Sequence, residues 1–175
     1  MLPTGTGKTV VFSKVVEEEV RKGEKALILA HRGELLDQAS DKLYQTTGLT
    51  TSLEKAESTS IGSCERVTVA SVQTLSQEAR LKKFKKDDFG VIVVDEAHHA
   101  MSETYQRVLK YFDSAKVLGV TATPDRADQK NLGQFFDSKA YEYTLHQAVK
   151  EGYLCPVKAQ MIPLELDIRN VGLSN

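Results

Sequence analysis

The chain has 175 residues, 41% of them hydrophobic and 27% charged, with a formal net charge of −1. That length carries one compact domain with a sizeable core. The even charge balance excludes a protein that holds nucleic acid through bulk positive charge alone. No apolar run is long enough to cross a bilayer and no charged-then-apolar leader opens the chain, so a cytoplasmic protein is expected. Cys64 and Cys155 stand far apart without metal-ligand or redox spacing, and are expected as free thiols in a reducing compartment.

Taken in order, the first feature is the loop Pro3-Thr4-Gly5-Thr6-Gly7-Lys8-Thr9. Gly5 and Gly7 permit a tight turn with backbone N–H groups aimed inward at phosphate oxygens. Lys8 would reach the β- and γ-phosphates of ATP, and the Thr9 hydroxyl would hold Mg2+. Leu2 stands where the phosphate-loop pattern has its first glycine. Val10, Val11, Val15, Val16 and Val20 then mark the apolar face of a helix starting near Lys8. Short apolar runs predict strands over Ala26–Ala30, Val67–Ala70, Val91–Val94 and Val117–Val120. Helices are predicted around Leu35, Leu36, Ala39 and Leu43, and around Tyr105, Val108, Leu109 and Phe112. Strands alternating with helices argue for an α/β domain with a mainly parallel sheet, whose ligands sit at the carboxyl ends of the strands.

The Val91–Val94 strand delivers Asp95 and Glu96 to such an end. Asp95 would bind Mg2+, and Glu96 would orient the water that attacks the γ-phosphate. An acidic helix cap is the competing reading of this pair, the minor one even when it is taken alone, whereas a strand-ending turn is the favoured reading of Thr121-Ala122-Thr123-Pro124 taken alone. The basic run Arg80–Lys86 reads as a solvated helix face before it reads as a phosphate contact, with Phe84 in the core. Glu17-Glu18-Glu19 reads as a solvated face, and His99 and His146 carry no motif.

Asp95-Glu96-Ala97-His98 spells D-E-A-H. Together with Pro3–Thr9 and Thr121–Pro124 it resembles the superfamily-two DEAD/DEAH-type helicases, nearest to restriction-enzyme motor subunits and related repair helicases. Ala30-His31-Arg32 with Glu34, Leu35, Leu36 and Gln38 is similar to the family's motif Ia, and Ala70–Leu75 to its motif Ib. The segments keep the family's order from Pro3 to Pro124, and Ala140–Pro156 is similar to the segment leading out of the domain.

The resemblance implies a RecA-like P-loop NTPase domain over 1–163, lacking its first strand, with 164–175 starting a connection to a second RecA-like domain. Val157–Leu166 reads as its last strand. It also implies ATP-driven unwinding or translocation, with DNA favoured over RNA as partner. His98, Thr121 and Thr123 would couple hydrolysis to grip, while Arg32, Ser71, Gln73 and Thr74 would touch the strand backbone. A restriction-enzyme translocase subunit shares every motif, and a non-catalytic binding module is the reading of another class. Without the arginine of a second domain, hydrolysis by this chain alone is expected to be very slow or absent.

Overall fold

The computed structural model describes residues 1–31, 33–122, 132–133 and 135–156. Arg32, Thr123, Pro124, the expected strand at 157–166 and the boundary after 163 lie outside the described residues, as does the side chain of Leu35. The elements are α1 (Lys8–Arg21), β1 (Ala26–Ala30), α2 (Gly33–Thr47), β2 (Thr51–Glu54), β3 (Val67–Ser71), α3 (Val72–Leu75), α4 (Glu78–Leu81), β4 (Val91–Asp95), a 3-10 turn (Ala97–His99), α5 (Glu103–Tyr111), β5 (Lys116–Val120) and α6 (Leu145–Lys150). The strands form one sheet in the order β2-β3-β1-β4-β5, and every pairing is parallel. No helix among the described residues is long and apolar enough to cross a membrane.

The strand register explains the apolar runs. In β1 and β4, Leu27, Leu29, Ile92 and Val94 face one layer, where Tyr105, Val108, Leu109 and Phe112 pack. Their neighbours Ala26, Ile28, Val91 and Val93 face the other layer, against Phe12 and Val16 of α1 and Leu36, Ala39 and Leu43 of α2. Period-two alternation with both faces covered leaves no position for a polar residue, so these strands read as continuous hydrophobic runs. At Gly119 of β5, the Phe136 ring lies where a Cβ would project, and Ala97 Cβ would stand 3.0 Å from it. A side chain there has no room.

Three expectations are corrected. The apolar face of α1 is built on Phe12 and Val16, while Val10 and Val11 are 51% and 49% exposed. Both valines fit a helical period, but the i, i+4 pair Phe12–Val16 points at the sheet. Glu19 is buried rather than solvated, and its two carboxylate oxygens accept from Lys22 Nζ (2.8 Å) and Lys116 Nζ (3.2 Å). Arg80 does not belong to a solvated basic face. Its Nη1 donates to the fully buried Glu54 Oε1 at 2.6 Å, and its Nη2 donates to the Ala56 carbonyl at 2.8 Å. Glu54 Oε2 accepts from the Ser60 backbone N–H at 2.8 Å and the Thr59 hydroxyl at 3.0 Å. Phe84 is buried, as expected.

The strand β2 escapes a search for apolar runs because Thr-Ser-Leu-Glu lies at the sheet edge and needs only one covered face. It is tied inward by Ser52 Oγ to Thr68 Oγ1 at 3.2 Å.

Removing one partner of a buried ion pair leaves the other charge desolvated. Arg80→Ala is expected to lower the unfolding free energy by about 3 kcal/mol, measured by urea denaturation. Lys82→Ala, in the same basic run but in an exposed pair with Glu78, is expected to leave the midpoint unchanged.

Candidate active site

Parallel strands place all their carboxyl ends on one edge, and the residues following β1, β3, β4 and β5 meet there. The loop before α1 joins the same edge: Leu2 N–H donates to the Thr121 carbonyl at 3.0 Å, just past β5. Within the loop, Thr6 Oγ1 donates to the Pro3 carbonyl at 2.7 Å. Gly5 (φ 87°) and Gly7 (φ 85°) take left-handed conformations that L side chains adopt at a cost. Gly7 is the N-cap of α1 and offers no side chain to the first-turn N–H groups. Those donors and the helix dipole are therefore directed at whatever lies in the loop.

The loop is also held from outside. Thr144 and Gln147 form a capping box at the start of α6, with Gln147 N–H donating to Thr144 Oγ1 at 3.2 Å and Thr144 N–H to Gln147 Oε1 at 2.9 Å. The Ala148 carbonyl at the end of this helix accepts from the N–H groups of Tyr153 and Leu154. Leu154 is thereby set close enough to Gly5 that a Cβ there would stand 3.2 Å from its side chain. Tyr143 N–H donates to the Met1 carbonyl at 2.9 Å.

Lys8 Nζ stands 3.5 Å from Glu96 Oε1, an ion pair between residues 88 apart in sequence. Glu96 has φ 53° and ψ 55°, the left-handed region, and no other non-glycine among the described residues has positive φ. For a side-chain-bearing residue that conformation costs about 1–2 kcal/mol. The Glu96 N–H donates to Asp95 Oδ1 at 3.0 Å. Burial, and next the charge of Glu96, push the Asp95 carboxyl above its ordinary value. Burial and the same two carboxylates push the Tyr105 phenol up, so it stays neutral.

His98, on the 3-10 turn after the pair, places Nδ1 3.2 Å from Thr121 Oγ1 and 3.4 Å from Glu96 Oε2. Lys8, Asp95, Glu96, His98 and Thr121 thus converge, with Thr9 in the first turn of α1. Of the motif Ib residues, Ser71 and Thr74 are buried and Gln73 is exposed. Gln73 Nε2 lies 3.2 Å from His31 Nδ1. Neither His31 nor His99 was singled out from sequence as a site residue, yet their rings stack with centroids 4.8 Å apart. The pairing leaves no periodic trace, because it joins the ends of two strands that are neighbours only in the sheet.

Residues 1–126 match the family described as the type III restriction enzyme res subunit. The chain belongs to this family. A res-subunit domain of this kind is also similar to the proposed ATP-dependent helicase IRC3 of Saccharomyces cerevisiae, 33% identical over 97% of this chain and 26% of that protein. The type I restriction enzyme EcoAI endonuclease subunit of Escherichia coli is 28% identical over 97% of the chain and 22% of its own length. Among solved structures, the Hef helicase domain of Pyrococcus furiosus superposes with a TM-score of 0.66 at 27% identity, covering 75% of this chain and 31% of that one. The fold is that of a RecA-like helicase domain, and the chain spans about a quarter of the two curated relatives.

The raised Asp95 carboxyl has a measurable consequence. The folded chain holds that proton more firmly than the unfolded chain, so its contribution to stability is full below the unfolded value and is lost as pH rises through the folded value. At neutral pH Asp95 therefore opposes folding, and Asp95→Asn is expected to raise the melting temperature there. The gain should shrink as the pH falls below the carboxylate range in paired thermal melts.

Proposed function

We propose that this chain is the ATP-binding and hydrolysing motor domain of a nucleic-acid helicase, with residues 1–163 as the domain and 164–175 leading to a second RecA-like domain. The observation that carries the reading is the 3.5 Å approach of Lys8 to Glu96 beside Asp95, which gathers a cation, a phosphate loop and two carboxylates at one sheet edge. Pro3, Thr4, Gly5, Thr6 and Gly7 wrap the phosphates with backbone N–H groups, and Lys8 leaves Glu96 to meet the β- and γ-phosphates. Glu96 then accepts a hydrogen bond from the attacking water and takes its proton as the bond to the γ-phosphorus forms. The terminal P–O bond to ADP breaks in the same displacement.

Thr9 and Asp95 would hold Mg2+. A hydroxyl and a carboxylate are the oxygen donors such a hard cation takes, and the Asp95 carboxyl, pushed up by burial and next by the charge of Glu96, would be eased by a cation. Bound there, Mg2+ supplies neutralisation of the phosphate charge. His98 with Thr121 and Thr123 couples nucleotide state to grip. Arg32, Ser71, Gln73 and Thr74 form the nucleic-acid face, with the exposed amide of Gln73 foremost among the described members. DNA is the partner proposed over RNA, and membership of a restriction-enzyme family supports a second reading, translocation along duplex without separating the strands. A strand-displacement assay on the full-length parent separates the two.

Calorimetric titration with a Mg·ATP analogue is expected to show binding by the chain and none by Lys8→Ala. Binding undiminished in the variant would sink the phosphate-loop reading. The chain alone is expected to turn over ATP far more slowly than a complete motor, because the arginine of a second domain is worth about 10³–10⁵ in rate.

A further inference from the structure

The carboxyl edge of the sheet carries a second row of side chains beside the Lys8–Glu96 pair. It begins past β3, where the Ser71 hydroxyl donates to Gln73 Oε1 at 2.8 Å. The other end of that amide, Nε2, meets His31 Nδ1 at 3.2 Å, just past β1. The His31 ring stacks on His99 at 4.8 Å between centroids and 25° between planes. His99 in turn contacts the His98 ring at 4.1 Å and 46°. His98 ends the row at Thr121 Oγ1 and Glu96 Oε2. The sheet order β3-β1-β4-β5 lays these residues out in sequence, so the row runs from the proposed nucleic-acid face to the proposed water-orienting carboxylate.

With Ser71 Oγ donating to its Oε1, the Gln73 amide turns Nε2 to His31, so a strand oxygen that accepts from Nε2 competes with that contact. The His31 ring, released at Nδ1, changes its overlap with His99, and His99 changes its overlap with His98. At the far end His98 Nδ1 lies 3.2 Å from Thr121 Oγ1 and 3.4 Å from Glu96 Oε2, so a turn of the ring would trade one contact against the other. A ring turned to Thr121 would release Glu96 Oε2, and one turned to Glu96 would hold it. We propose that His31 and His99 are positioning residues through which a nucleic-acid strand bound at Gln73 sets the orientation of Glu96. The inference rests on the reading of Gln73 and Glu96 above, and linkage requires it to work in both directions.

The test follows the imidazole resonances of this chain by NMR while single-stranded oligodeoxythymidine is added, alongside fluorescence anisotropy that reports binding itself. The His98 ring signals are expected to shift in the wild-type chain, to stay in place in both His31→Ala and His99→Ala, and to shift again in His99→Phe, which keeps a flat ring in the stack. A His98 shift that persists in either alanine variant, or binding with His98 unmoved in the wild type, overturns the relay alone. No oligonucleotide binding by the wild type overturns the nucleic-acid face, and the relay with it.

Discussion

Everything in this domain depends on a parallel sheet that is covered on both sides. A strand such as β1, fully buried along its length, cannot place a polar side chain on either face without leaving it unsatisfied. Chemistry is therefore displaced to the strand ends. Because every pairing is parallel, those ends fall on one edge, and residues as distant as Lys8, Ser71, Glu96 and Thr121 become neighbours. The helices supply the covering layers, and α1 presents its N-terminus to the same edge.

Among the described residues the one non-glycine with a positive φ, Glu96, lies at that edge. Gly5, Gly7 and Glu96 all take left-handed backbone conformations. At the glycines this permits a turn around an anion. At Glu96 it sets a side chain against its intrinsic preference and brings it within 3.5 Å of Lys8. The charges are uneven as well: Asp95 is disfavoured as a carboxylate by burial and by Glu96, while Lys8 lies nearest the latter. A site that strains its backbone and crowds two carboxylates is less stable than a core made for packing alone, and such compromises gather where binding or reaction takes place.

The sequence-based reading located four of the five strands because each was apolar on both faces, and β2 was missed because an edge strand of threonine and serine carries no such run. The face of α1 was misplaced for a related reason: a helix with valines at 10, 11, 15, 16 and 20 has apolar residues on more than one side, and only the sheet selects Phe12 and Val16. The contact of His98 with Thr121 was legible through the family resemblance, and the structure brings the two within 3.2 Å. The Arg80–Glu54 pair was not, since nothing in Arg80–Lys86 distinguishes one cation from the next until β2 brings a buried carboxylate to it.

By itself the sequence determined the class of fold, the loop Pro3–Thr9, the acidic pair at the end of β4 and the family, because these are encoded by contiguous residues whose local chemistry admits few alternatives. Tertiary structure alone decided which valines of α1 are covered, that Glu19 is a covered carboxylate held by two lysines and Arg80 the partner of the buried Glu54, and that His31, His98 and His99 form a continuous row. Those outcomes depend on which strand ends lie side by side, and adjacency in a parallel sheet is set by crossover topology rather than by any spacing along the chain.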